Sequence, residues 1–157
     1  MTRVALDSNI LVYVAGIERA EGDAVKVDRA RALFGALGNL ATLVAPVQAL
    51  GELFVVMRRN ATSLTDAHAV MATFSDACET PASDIAAVET ALRLVADHQL
   101  QYWDALILSV AAEARCTLLL SEDMQHGFAT RGVTIINPLA EVAHPKLAAL
   151  IGGAGRD

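Results

Sequence analysis

Short apolar runs alternate with amphipathic segments along this chain. The runs with the length and composition of buried strands lie at residues 4–6, 40–45, 116–120 and 133–136. Between them, apolar side chains recur at the three- and four-residue spacing of helices. Strands that alternate with helices are typical of a parallel sheet covered on both faces. The pattern therefore predicts an α/β fold.

The helical pattern covers residues 25–37, 46–60, 63–77, 85–97 and 102–115. Pro46 suits the first turn of its helix, where a backbone donor is not needed. Ser63 or Thr65 can cap the helix that follows, because their hydroxyl groups can accept a bond from a free backbone N–H. Val25 in the first of these helices and Leu92 in the fourth lie on apolar stripes, so we expect both to face the core.

Polar residues follow two of the predicted strands directly. The sequence Asp-Ser-Asn occupies residues 7–9, and Ser-Glu-Asp occupies residues 121–123. The C-terminal ends of parallel strands share one edge of a sheet, which is where α/β proteins place ligands. We therefore expect Asp7 and Asp123 to share that edge. Helix capping also explains Asp7, since Asp, Ser and Asn are all favoured at helix N-termini.

Two further carboxylates fall near predicted helix starts, Asp104 in a first turn and Glu52 in a second turn. Compensation of the helix dipole explains Asp104, and a solvated helix face explains Glu52. Short right-handed connections would instead bring both to the edge that holds Asp7. Two charges about 4 Å apart repel by about 4 kcal/mol at an effective dielectric near 20, so such a cluster needs a cation or protons. Oxygen ligands without Cys or His favour Mg²⁺ or Mn²⁺ over Zn²⁺.

Composition narrows the class of protein. A chain of 157 residues with 54% hydrophobic content suits one folded domain with a single core. The net charge of −6 argues against binding nucleic acid by overall charge. It does not exclude a nuclease, because bound divalent cations can reverse the local field.

The sequence also indicates where the protein resides. Polar residues interrupt every apolar run before it reaches the length of a membrane span, and the N-terminus lacks a secretion signal. We therefore expect a cytoplasmic protein with no membrane contact. Cys78 and Cys116 lie far apart without metal-ligand spacing, which predicts two small buried thiols.

Four segments carry a resemblance to a known family. They read LDSNILVY at residues 6–13, ALGEL at 49–53, YWDALI at 102–107 and LSEDMQHG at 120–127. Together and in this order they resemble the PIN-domain ribonucleases, and within these the VapC-type toxins of bacterial toxin–antitoxin pairs. The resemblance implies three α/β/α layers with a central, mostly parallel five-stranded sheet. It implies a PIN-like nuclease domain over residues 1–139. Residues 140–157 extend past the recognisable pattern, and we expect them to form a partly flexible C-terminal extension with a loose stretch at residues 152–153.

The resemblance further implies Mg²⁺-dependent cleavage of RNA, with Mn²⁺ as a possible substitute. The family's acidic, metal-binding positions match Asp7, Glu52, Asp104 and Asp123. Polar positions that orient these acids match Asn9 and Ser121. In this family the protein is usually a homodimer, and a cognate antitoxin blocks it by inserting a C-terminal segment.

Other polar residues carry weaker predictions. Arg58 and Arg59 are candidate contacts to RNA phosphates, although basic residues at a helix end also offset the helix dipole. Glu122 adjoins Asp123, and the register of the motif favours Asp123, so we expect Glu122 to be solvated. Trp103 could stack on a base, but we expect it to pack beside the neighbouring carboxylate.

Two other classes of function stay open. One is a PIN-like domain that binds RNA or a protein partner without catalysis. The other is a metal-dependent phosphatase of another α/β family. Phosphoaspartyl phosphatases need a second Asp two residues after the first, where this chain has Asn9, and receiver domains need adjacent acids, where it has Ser8.

Overall fold

The computed structural model describes residues 1–153 of the chain. Its strands are β1 Thr2–Leu6, β2 Ala41–Val44, β3 Leu118–Leu120, β4 Ala129–Thr130 and β5 Val133–Ile136. They form one sheet in the order β2-β1-β3-β5-β4, in which only β4 is antiparallel to its neighbour. The predicted α/β fold with a mostly parallel five-stranded sheet is confirmed.

Seven helices lie within these residues. They are α1 Ser8–Val14, α2 Asp23–Gly38, α3 Val47–Arg59, α4 Leu64–Ala77, α5 Ile85–His98, α6 Tyr102–Glu113 and α7 Pro145–Gly152. Ser63 caps α4 by accepting a bond of 3.0 Å from the backbone N–H of Asp66, as its hydroxyl group predicts. Pro46 is the N-cap of α3 and so precedes the helix instead of lying in its first turn.

The core brings the ends of two central strands together. The parallel register pairs Leu6 of β1 with Leu120 of β3, so the residues that follow them leave the sheet side by side. The backbone N–H of Asp7 continues this pairing with a 2.9 Å bond to the Leu120 carbonyl. Helix α6 is buried on all sides from Ala105 to Ala111, as its apolar sequence requires. This burial fixes the position of its first turn relative to the sheet.

Two of the predicted inward-facing residues point outward. Val25 is 63% exposed and Leu92 is 55% exposed, so both predictions were wrong. On α5 the buried face consists instead of Ala87, Ala91 and Leu94. The two alanines on that face let α5 approach the buried helix α6 closely, and Leu92 lies on the opposite, solvent-facing side of α5.

The sequence pattern missed two elements near the C-terminus. Strand β4 has only two residues, and α7 follows a segment without apolar periodicity. Leu147 anchors α7 at 4% exposure, and the Lys146 ammonium donates to the Thr134 hydroxyl over 2.7 Å. Gly152 ends this helix, so the stretch expected to be loose begins inside it, and residues 154–157 lie outside the described range.

The other chain-wide predictions concern thiols and membranes. Cys78 and Cys116 are both free and buried, as expected. Burial raises the pKa of each thiol to about 11, so neither is a reactive thiolate near neutral pH. Among residues 1–153, no helix has both the length and the apolar character that crossing a bilayer requires.

Candidate active site

Asp7 is the fixed centre of the site. It is 3% exposed and has extended backbone geometry at the junction of β1 and α1. Its Oδ1 accepts a 2.7 Å bond from the backbone N–H of Ser8, so it caps α1. Its Oδ2 accepts bonds from the Ser121 hydroxyl at 2.8 Å and from the Asn9 amide at 3.1 Å. Asp7 thus has the capping role that its sequence allows, and it also lies among the other polar residues.

Asn9 links two of the carboxylates. Its Nδ2 donates to Asp7 and also to Oδ2 of Asp123 over 3.2 Å. Its Oδ1 accepts a 3.0 Å bond from the backbone N–H of Glu122. The Ser121 hydroxyl accepts bonds from the backbone N–H groups of Asp123 and Met124 at 3.3 and 3.2 Å. Asn9 and Ser121 therefore join the loop after β3 to the start of α1.

Glu52 and Asp104 approach the same edge from α3 and α6. The Glu52 carboxylate accepts bonds from the Ser8 hydroxyl at 2.7 Å and from the Gln48 amide at 3.1 Å. Asp104 is partly buried in the first turn of α6. Its pKa is raised by burial and by neighbouring carboxylates, and no hydrogen bond opposes the rise. The structure thus gathers all four predicted acids at the carboxyl edge of the sheet, although their metal-binding role stays a prediction.

The electrostatics of the cluster favour protons or a cation. Burial raises the pKa of Asp7 to about 6, the charges of Asp104 and Glu52 add to the rise, and the bonds from Ser121 and Ser8 oppose it. The pKa of Asp104 is also raised, first by burial and then by Glu52 and Asp123. Within residues 1–153 no Lys, Arg or His forms an ion pair with any of the four acids. The described part of the chain therefore supplies no cation that compensates this negative charge.

A family comparison identifies the architecture around this site. The model of the PIN domain family matches residues 4–129. The chain belongs to the PIN domain family. The match covers the four acids and the two polar residues that contact Asp7. No sequence among the curated proteins matches the chain.

Solved structures with the same fold include components of toxin–antitoxin systems. VapC20 of Mycobacterium tuberculosis, a toxin that cleaves the sarcin-ricin loop, has a TM-score of 0.61 at 17% identity over 76% of this chain and 91% of its own. VapBC2 of Rickettsia felis, bound to a DNA fragment from its promoter, has a TM-score of 0.65 at 14% identity, and the match covers 85% of this chain and 97% of the VapBC2 chain. A chain of a toxin–antitoxin complex from Klebsiella pneumoniae has a TM-score of 0.61 at 17% identity, and the match covers 86% of this chain and 97% of that one. At these identities the likeness shows a shared fold.

The donor set of this PIN domain suits a hard divalent cation. All four acids supply carboxylate oxygens, which Mg²⁺ and Mn²⁺ prefer. Among the described residues, no three His, Cys, Asp or Glu side chains are grouped as a ready-made metal site. Asp123 is exposed, and Asp104 and Glu52 are partly exposed, so their side chains have room to rotate. The residues thus fit the ion in chemistry, and side-chain rotation is needed to complete the geometry.

Glu122 differs from its expected solvated state. Its carboxylate accepts a 2.8 Å bond from the Tyr13 hydroxyl and forms a 3.1 Å ion pair with Lys26. The side chain is largely buried because α1 and α2 supply these partners from distant positions. The expectation of a solvated Glu122 was therefore wrong. No sequence signal linked Lys26 to this position, whereas Ser8, which bonds Glu52, stands inside the first motif.

Two other residues of this PIN domain carried alternative roles in the sequence. Trp103 is 49% exposed, and its ring meets that of Tyr102 edge to face at 5.0 Å. Arg58 donates a 2.8 Å bond to the Thr62 carbonyl at the end of α3. The bond engages the Arg58 guanidinium with backbone just beyond the end of α3.

Proposed function

We propose that this chain is a Mg²⁺-dependent endoribonuclease that acts in the cytoplasm as the toxin of a toxin–antitoxin pair. The observation that carries the proposal is the gathering of four acids, from distant parts of the sequence, at one edge of a PIN fold, where no cation of residues 1–153 pairs with them. The shared fold with VapC20, a toxin that cleaves an RNA loop, supports the same class of substrate. Membership of the PIN family leaves the phosphatase alternative without support.

Each residue has a proposed role in hydrolysis. The ion would be held by Asp7, Asp104 and Asp123, with Glu52 binding it directly or through water. When bound, Mg²⁺ lowers the pKa of a coordinated water and offsets charge on the phosphoryl oxygens.

Asn9 donates to both Asp7 and Asp123, which keeps those two carboxylates facing one space. Ser8 holds Glu52 against the same edge through its 2.7 Å bond. The proposed products carry a 5′-phosphate and a 3′-hydroxyl.

Cleavage of a structured RNA in Mg²⁺, and then in EDTA, tests the nuclease directly. Asp7→Asn and Asp104→Asn keep the side-chain shape and remove a charge, so each should abolish Mg²⁺-dependent cleavage. Asp76→Asn, an exposed residue of α4, removes the same charge away from the site and should cleave normally. Cleavage at the wild-type rate by Asp7→Asn or Asp104→Asn would show that the site is wrongly assigned.

We also propose a cognate antitoxin and a homodimer. The shared fold with chains of VapBC2 and of a second toxin–antitoxin complex supports an antitoxin partner. A small neighbouring gene that encodes a DNA-binding protein would identify the antitoxin, and its co-expression with this chain should yield a complex that no longer cleaves RNA. Light scattering should give twice the chain mass for the protein alone, and a monomer mass would contradict the homodimer.

A second candidate is a PIN domain that binds RNA or a partner without cleaving it. It predicts that the protein binds Mn²⁺ and RNA while the RNA stays intact, in Mg²⁺ as in EDTA. The same cleavage assay therefore separates the two functions.

A further inference from the structure

A groove of about 780 Å³ borders the acidic site. Its walls include two residues of the site, two half-exposed valines of α3 and two arginines, namely Ser8, Glu52, Val47, Val55, Arg19 and Arg59. Because Glu52 and Ser8 belong to both, a molecule that lies in the groove reaches the carboxylates.

Arg19 and Arg59 are the two cations that line the groove. Within residues 1–153, neither the Arg19 nor the Arg59 guanidinium is held by an ion pair with an acid. Other cations are engaged: Arg3 pairs with Glu79, and Lys26 pairs with Glu122. The groove therefore presents two guanidinium groups that are available to an anion.

The backbone that carries Arg19 is held in place. This residue lies between α1 and α2, where the backbone N–H groups of Arg19 and Ala20 donate to Oδ2 of Asp23 at 2.9 and 3.1 Å. Asp23 itself is buried at the start of α2. Arg59 projects from the last turn of α3, on the other element that borders the groove. Both guanidinium groups are thus presented from fixed backbone positions.

An RNA substrate needs local positive charge to approach this site. The net charge of −6 and the four acids repel a phosphate backbone. Guanidinium groups bind phosphate oxygens in a bidentate manner, and apolar side chains such as Val47 and Val55 can contact base or ribose faces. A groove of this volume admits a few nucleotides of a single strand, whose bases are more accessible to side chains than those of a duplex.

We infer that this groove binds a single-stranded segment of the RNA, with Arg19 and Arg59 contacting its phosphates beside the acidic site. The inference rests on the proposed nuclease function and adds to it the residues that hold the strand. It keeps Arg59, excludes Arg58, whose guanidinium is bonded to the Thr62 carbonyl, and adds Arg19, which the sequence did not indicate.

Fluorescence anisotropy of a labelled, unstructured oligoribonucleotide in EDTA tests the groove without cleavage. Arg19→Gln and Arg59→Gln should each weaken binding about 3- to 10-fold at low salt, and each should reduce the slope of log K against log salt by about 0.7. Arg93→Gln is the matched control, because Arg93 is an exposed residue of α5 outside the groove and loses the same charge. Arg58→Gln is a second control, and both should bind within about twofold of wild type.

Three results would overturn the inference. The first is that both groove variants keep the wild-type affinity for RNA and the wild-type salt slope. The second is that Arg93→Gln loses as much affinity as the groove variants do, since net charge alone would then explain the loss. The third is a groove variant that still binds RNA but no longer binds a labelled poly-glutamate peptide, which would assign the groove to an acidic protein segment. Cleavage by the wild type in Mg²⁺ is measured separately, so failure of the nuclease proposal is distinguishable from failure of the groove.

Discussion

Asp7 should destabilise the protein in EDTA once its carboxyl group ionises. Burial raises its pKa from 3.8 to about 6, and the charges of Asp104 and Glu52 contribute to the rise. The folded protein therefore holds this proton more tightly than the unfolded chain does. Stability is greatest below the unfolded pKa and falls as the pH rises through the folded pKa. Asp7→Asn cannot ionise, so it should lack this fall.

The expected size of the effect follows from the shift. About two pKa units correspond to about 3 kcal/mol of unfolding free energy once titration is complete. Of this, about 1 kcal/mol is already lost at about pH 4.5, so the wild type should lose about 2 kcal/mol more by about pH 8. Asparagine cannot accept all three bonds that Asp7 accepts, which costs about 1–3 kcal/mol. That cost does not depend on pH, so it shifts the whole curve without changing its slope.

Urea unfolding followed by circular dichroism in EDTA, at about pH 4.5 and about pH 8, measures the difference. The unfolding free energy of Asp7→Asn relative to wild type should rise by about 2 kcal/mol between the two pH values. Asp76→Asn is the matched control and should follow the wild-type curve. The same pH dependence in Asp7→Asn and wild type would refute the raised pKa, whatever the absolute stabilities.

Three further predictions test the surrounding network. Asn9→Ala removes the donor shared by two site carboxylates, so RNA cleavage should fall at least about 10-fold while circular dichroism shows a folded protein; unchanged cleavage would mean that this link does not orient the site. Lys26→Met removes the cation of a partly exposed ion pair with Glu122 and should lower the free energy of urea unfolding by about 0.5–1 kcal/mol, whereas Lys26→Met with Glu122→Gln should recover part of that loss. Leu147→Ala should cost about 2–4 kcal/mol in urea unfolding if α7 is docked as described, and a cost near zero would show that it is not.

The fold was predictable wherever burial leaves a long pattern. The strands at residues 4–6 and 118–120 are continuous apolar runs because both faces of a parallel sheet are covered. Strand β4 has two residues on an edge and leaves no such pattern. The inward face of α5 was missed for a different reason. Two of its three buried residues are alanines, whereas the spacing of the larger apolar side chains pointed to Leu92. Tertiary packing against α6 decided that face, and the sequence of α5 alone does not contain it.

The site was predictable to the extent that strand ends specify it. Asp7 and Asp123 follow neighbouring parallel strands, so topology alone brings them together. Glu52 and Asp104 needed the resemblance as well, because a carboxylate near a helix start is common for other reasons. The partners of Glu122 and the position of Arg19 were not predictable, since each depends on where α2 and its preceding loop pack.

The four acids differ in how firmly the protein holds them. This difference explains why residues 1–153 supply suitable carboxylate donors but do not group three of them as a ready-made metal site. Asp7 accepts three hydrogen bonds and is buried, so its position is set before any ligand arrives. No hydrogen bond opposes the raised pKa of Asp104. Asp123 is exposed and accepts one bond from Asn9. Mutual repulsion keeps unbonded carboxylates apart, because nothing within residues 1–153 neutralises them. A divalent cation reverses the sign of that interaction, so its binding should draw Asp104 and Asp123 toward the fixed Asp7 and not the reverse.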